Sequence, residues 1–171
     1  QSIDFRSHHS FRGFTLNTIE SLSNDFKELG IKKGDTVFLR GDLGKVGRFE
    51  NKKRSLFIES LLSIIGEEGT LVALGFTKSY PFYRVDKNYV FDSLTLPITG
   101  ALGKLFLDFP GCQRSTHPIS SFLAIGKNAN YILEGHDDNS ASYYPMSKIV
   151  NLNAKMILFG VIQSSPGFTT V

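Results

Sequence analysis

The chain has 171 residues, 41% hydrophobic and 20% charged, which describes a folded globular protein and excludes a disordered or low-complexity one. Its length suits one domain, spanning residues 1–171 and able to bury roughly 70% of the surface that the unfolded form exposes. A net charge of +3 and a pI near 9.0 admit an anionic ligand without arguing for nucleic acid. The lone Cys112 excludes an internal disulfide and a multi-cysteine zinc site, and favours a reducing, cytoplasmic setting.

The opening stretch QSIDFRSHHSF has no apolar signal core and no initiator methionine. From Thr15 to Leu29, Ile19, Leu22, Phe26 and Leu29 recur at helical spacing; Thr15 or Thr18 can cap the start and Gly30 suits the position past the end. KKGD turns the chain into TVFLR, residues 36–40, a short apolar run that reads as a buried strand. The glycine-rich loop GDLGKVG follows, then a helix over 52–65 with Leu56, Phe57, Leu61 and Ile64 inward and Gly66 ending it. GTLVALGF, residues 69–76, is the second predicted strand.

Residues 77–98 hold aromatics and two prolines with no period, and a connection of that length inside a compact domain is usually functional. A short helix is expected at 99–109, a third strand at SFLAI, helical turns at NANYILEGH and PMSKIV, and a fourth strand at KMILFGV. Helices alternate with continuously apolar strands. That predicts an α/β single domain with a mixed or mostly parallel sheet and helices on both faces. No run of eighteen apolar residues predicts a membrane helix, and neither a nucleic-acid nor a membrane partner is expected.

Two stretches carry candidate chemistry. The loop RGDLGKVG follows a strand, where open α/β sheets bind ligands, and its glycines let backbone N–H groups approach an anion. It is neither a Walker nor a GxGxxG sequence, and Asp42 opposes a tight phosphate cradle. The second stretch, PGCQRSTHPISSF, sets His117 among Arg114, Ser115, Ser120 and Ser121, a good anchor for an anion or an amide chain. Its spacing to His136, Asp137 and Asp138 fits no common metal site, and no GxSxG occurs. On residue types alone, His117 is either a functional anchor or base, or an ordinary loop histidine.

GIKKGDTVFLRGDLGKVG, LLSIIGEEGTLVALGFT, LPITGALGKLFLDFPGCQRSTHPISSFLAIGKNA, SKIV and KMILFGV with a later TT follow the motif order of the aminoglycoside 3-N-acetyltransferase family, which the chain resembles from about residue 15 onward. The section ending RSTHPISSFLAIG is the most specific. The resemblance implies a single α/β unit that uses acetyl-coenzyme A as co-substrate, without a metal, to acetylate an amine on an aminoglycoside or amino sugar. It implies that Gly41, Asp42, Leu43, Gly44, Lys45 and Val46 meet the coenzyme's pyrophosphate and pantetheine. It places Arg114, Ser115, His117 and Pro118 beside the coenzyme, with Ser120 and Ser121 near.

The family's base is a histidine directly after a Thr-Thr-like pair, with a glutamate a few residues on. Here the pair is Thr169 and Thr170 and the next residue is Val171, so the resemblance implies a C-terminally incomplete chain. Thr169 or Thr170 would supply oxyanion donors, and His117 would act as base only if it reached the amine. Other departures from the family pattern are LRGDLGK in the first loop, Leu74-Gly75 at the end of the second strand, and Lys104 where an acid is common. Asp86, Asp92, Glu134, Asp137 and Asp138 remain possible contacts for a cationic acceptor. A non-catalytic coenzyme A or anion-binding domain is the alternative reading. The acceptor and the oligomeric state are not legible.

Overall fold

The computed structural model describes residues 2–5, 16–80 and 86–160, the first segment by its backbone only. Six strands form one sheet: β1 Ser2–Phe5, β2 Thr36–Gly41, β3 Thr70–Leu74, β4 Gln113–Arg114, β5 Phe122–Gly126 and β6 Lys155–Phe159. Their order is β1-β6-β2-β3-β5-β4. The first four in that order are mutually parallel, whereas β5 is antiparallel to both β3 and β4. The helices are α1 Ile19–Glu28, α2 Leu56–Ile65, α3 Ala101–Leu107, α4 Ala129–Leu133 and α5 Tyr144–Asn151.

Side chains alternate across β2, which explains why it reads as an unbroken apolar run. Val37 and Leu39 join the core under α1, α2 and α3, with Leu22, Phe57 and Phe106. Phe38 faces the other way, into a second core with Ile132, Met146 and Ile149 of α4 and α5. The sheet is therefore covered on both faces, as the sequence predicts.

Thr18 caps α1. Its hydroxyl accepts the Ser21 N–H at 3.2 Å, while Ser21 Oγ accepts the Thr18 N–H at 3.0 Å. Leu22 and Phe26 are buried, and the Phe26 and Phe57 rings meet edge to face at 5.4 Å, tying α1 to α2. Ile19 is 36% exposed and does not share their face fully. The second helix starts at Leu56 and not at Lys52, because Asn51 and Lys52 both adopt left-handed backbone (φ 51° and 58°) that no helix continues. Two strands were not foreseen, β1 and the two-residue β4.

Register fixes where the loops meet. Gly41 lies opposite Phe159, and Leu74 opposite Phe122. The carboxyl ends of β2, β3 and β6 and the start of β5 therefore share one edge. The turn after Gly41, the connection after Leu74 and the loop before Phe122 converge there. The opposite edge is closed by Lys155, whose Nζ meets Asp35 Oδ2 and the Gly30 carbonyl at 2.6 Å each.

Candidate active site

The turn after β2 is a closed hydrogen-bonded unit. Asp42 N–H donates to the Phe159 carbonyl (2.9 Å), Gly44 N–H to Asp42 Oδ1 (2.9 Å), Lys45 N–H to the Asp42 carbonyl (3.0 Å) and Val46 N–H to the Leu43 carbonyl (3.3 Å). Leu43 is buried in the core. These backbone donors are committed inside the protein, so the turn does not form the N–H cradle for an anion that its glycines suggest. Gly41 serves packing: a Cβ there would lie 2.1 Å from the Phe159 carbonyl oxygen. Lys45 keeps its side chain in solvent.

Arg114 is also turned inward. Its Nε donates to Ser121 Oγ (3.0 Å) and one terminal nitrogen to the Gly75 carbonyl (2.8 Å). The other terminal nitrogen reaches the carbonyls of Ser93 (3.2 Å) and Thr95. Four of the five N–H groups of a guanidinium are thereby engaged. Phe91 packs its ring 4.9 Å from the guanidinium carbon. The fork that the sequence offers to a phosphate instead holds the long connection against the end of β3. Ser121 Oγ adds a bond to the Gly75 carbonyl at 2.7 Å, and Thr77, which sequence reasoning passed over, donates its hydroxyl to the Pro118 carbonyl.

His117 is buried, and its Nδ1 accepts two backbone N–H groups, from Ile119 (3.2 Å) and Ser120 (3.0 Å). The neutral ring therefore carries its proton on Nε2. A ring whose accepting nitrogen is occupied can donate a hydrogen bond but has no free lone pair with which to take a proton. Its ring lies 4.9 Å from that of His136. His136 is 1% exposed; its Nδ1 lies 2.9 Å from Ser115 Oγ, which also accepts the Phe122 N–H at 2.8 Å. Burial, then the neighbouring His117, push the His136 ring down to about 4, so it is neutral at physiological pH. Burial pushes the Cys112 thiol up to about 12, which removes it as a nucleophile.

Two cavities border these residues. A cleft of about 570 Å³ runs between β4 and the end of α4, lined by Arg114, Ser115, Thr116, Glu134, His136 and Asp137 among others. A cavity of about 220 Å³ lies at the carboxyl ends of β2 and β3, against Leu39, Arg40, Gly41, Leu74, Leu102 and Gly103. The cleft is larger, but the strand-end cavity occupies the place where open α/β sheets take ligands. Leu74 and Gly75 link the two, because Leu74 lines the cavity and the Gly75 carbonyl holds Arg114.

Glu134 and Asp137 are the candidate acids that line the cleft. Asp86 accepts the Asn88 N–H, and Asp92 accepts the Leu94 N–H and the Thr95 hydroxyl, bonds that hold its carboxyl below the usual range. Among the described residues no group of three or more metal-ligating side chains converges, and no helix is long and apolar enough to cross a membrane. Thr169 and Thr170 lie outside the described residues.

A mixed, mostly parallel sheet covered by helices on both faces, with its loops gathered at the strand ends, defines an α/β domain. The family model for aminoglycoside 3-N-acetyltransferase matches residues 38–168, and the chain belongs to that family. It is 30% identical over 161 residues to aminoglycoside N(3)-acetyltransferase III of Serratia marcescens, covering 85% of this chain and 60% of that one. It is 29% identical over 163 residues to the SPbeta prophage-derived aminoglycoside N(3')-acetyltransferase-like protein YokD of Bacillus subtilis, covering 84% and 60%. The solved structure of AAC-IIIb, a binary complex with CoASH, shares the fold with a TM-score of 0.80 at 22% identity, over 91% of this chain and 64% of that one. The chain thus spans about 60% of the length of these curated relatives.

Proposed function

We propose that the protein is an acetyl-coenzyme A-dependent N-acetyltransferase of the cytoplasm, acting on an amine of an aminoglycoside or amino sugar by direct acyl transfer. The observation that carries this reading is the family match over residues 38–168. The names of the curated relatives and the coenzyme in the AAC-IIIb structure support it.

In such a transfer the amine nitrogen attacks the thioester carbonyl. The C–N bond forms, the C–S bond breaks, coenzyme A leaves as its thiol, and a base takes the proton lost by the amine. Simple ammonium groups have pKa values of about 10, so that base is needed near neutral pH. His117 is the positioning residue of the RSTHPISS loop in this reading, because its Nδ1 already accepts two N–H groups. Ser115, Ser120 and Ser121 hold that loop beside the coenzyme, and Lys45 offers the coenzyme's phosphates a side-chain charge. Thr169 or Thr170 supplies donors to the oxyanion.

A thiol-release assay with acetyl-coenzyme A and a panel of aminoglycosides and simple amino sugars tests the reading. Acceptor-dependent release with matching N-acetyl product is expected. A folded protein that releases no thiol with any acceptor and binds no coenzyme A would be a different kind of member of the family.

A further inference from the structure

Two arginines stand at the carboxyl end of the sheet, and their surroundings differ. Arg114 gives hydrogen bonds to three carbonyls and a hydroxyl. Arg40, next to last in β2, is half-buried opposite Leu158 of β6. It borders the strand-end cavity, whose other walls are chiefly apolar: Leu39, Leu74, Leu102 and the glycines 41 and 103. Among the described residues its guanidinium has no hydrogen bond and no ion pair. The acid nearest in register, Asp4, lies two strands away, about 10 Å from backbone to backbone. Residues 6–15, 81–85 and 161–171 contain no aspartate or glutamate.

A half-buried guanidinium with no protein acceptor among the described residues leaves its five donors available to a ligand. Burial holds this one below the ordinary arginine range, and the group acting in the opposite direction is Tyr143. A forked donor at the rim of an apolar cavity matches the geometry of a phosphate or carboxylate. We propose that Arg40 is the anion-binding residue of the strand-end cavity, and that the ligand held there presents a phosphate or carboxylate to it. That oxyanion has two possible sources, a phosphate of the coenzyme or an acid group on the amine acceptor. The choice between them rests on the acetyltransferase reading; the site does not.

The test uses the full chain and its Arg40→Gln and Arg40→Lys variants, followed by calorimetry and thermal melting with inorganic phosphate, coenzyme A, and glucosamine 6-phosphate set against glucosamine. Without ligand, Arg40→Gln is expected to melt no lower than the parent, because it removes a charge that has no partner. Its affinity for at least one of the anionic probes should fall about tenfold or more, with Arg40→Lys in between, since an ammonium keeps the charge but not the fork. A loss confined to coenzyme A assigns the anion to the coenzyme; a loss confined to glucosamine 6-phosphate assigns it to the acceptor. A variant that melts clearly lower has lost an internal partner and overturns the proposal. So does equal binding of all probes by parent and variant, including no binding by either. Binding and melting report on this site whether or not acetyl transfer occurs, so its failure is distinguishable from failure of the enzymatic reading.

Discussion

Nδ1 of His136 lies 2.9 Å from Oγ of Ser115 in the interior, while Nε2 of the same ring is buried without a hydrogen-bond partner among the described residues. The ring sits near 4 in the folded protein against an ordinary 6.5. The unfolded chain therefore binds this proton more tightly than the folded one. Stability from His136 is fully present above pH 6.5, declines as pH falls toward 4, and changes no further below that. The loss amounts to at most about 3 kcal/mol. Melting temperatures of the parent and His136→Gln across pH 4–7.5 check this: the parent should lose more on acidification, and superimposable profiles would contradict it.

Arg114→Ala should destabilise the fold by about 2–3 kcal/mol, because it strips a charged donor from the carbonyls of Gly75, Ser93 and Thr95. Lysine should recover little, since one ammonium cannot reproduce the fork. Limited proteolysis should cut the 86–98 segment faster in Arg114→Ala, and coenzyme A should bind more weakly than to Lys33→Ala. Lys33 is an exposed control in the turn at the far end of the sheet. Equal cleavage and equal affinity in the two variants would remove Arg114 from the site.

Gly41 and Gly111 separate packing from backbone strain. At Gly111 φ is +77° with open space around a Cβ, so Gly111→Ala should cost about 1 kcal/mol. At Gly41 a Cβ would meet the Phe159 carbonyl oxygen at 2.1 Å, which forces β2 and β6 apart. Gly41→Ala should cost roughly 1–3 kcal/mol more than Gly111→Ala. Urea unfolding of the two variants provides the comparison, and equal midpoints would contradict it.

These residues also show what the sequence makes legible. Thr18, Gly30 and the unbroken apolar run of β2 act through local rules, and their elements stand where the periodicity places them. The direction of β5 is set by its pairing with β3, which no local pattern records. The start of α2 moved because Asn51 and Lys52 take left-handed backbone with no glycine to announce it. Arg114 and His117 stand out in the sequence by residue type. Their bonding is hidden, because the carbonyl acceptors of Arg114 come from residues 19 to 39 positions away and the donors to His117 are backbone N–H groups of its own loop. His136 drew notice only as a metal candidate, since its partner Ser115 lies 21 residues earlier. Arg40 gives no signal inside an apolar strand; only its lack of an acceptor among the described residues marks it.

Coenzyme A binding by the folded chain, on which the acetyltransferase reading rests, is tested most directly by calorimetric titration with coenzyme A at low salt. Saturable binding is expected, weakening as salt rises because exposed charges are screened over about 10 Å at 0.1 M. A demonstrably folded sample that gives no binding heat, and whose melting temperature coenzyme A does not move, would contradict it.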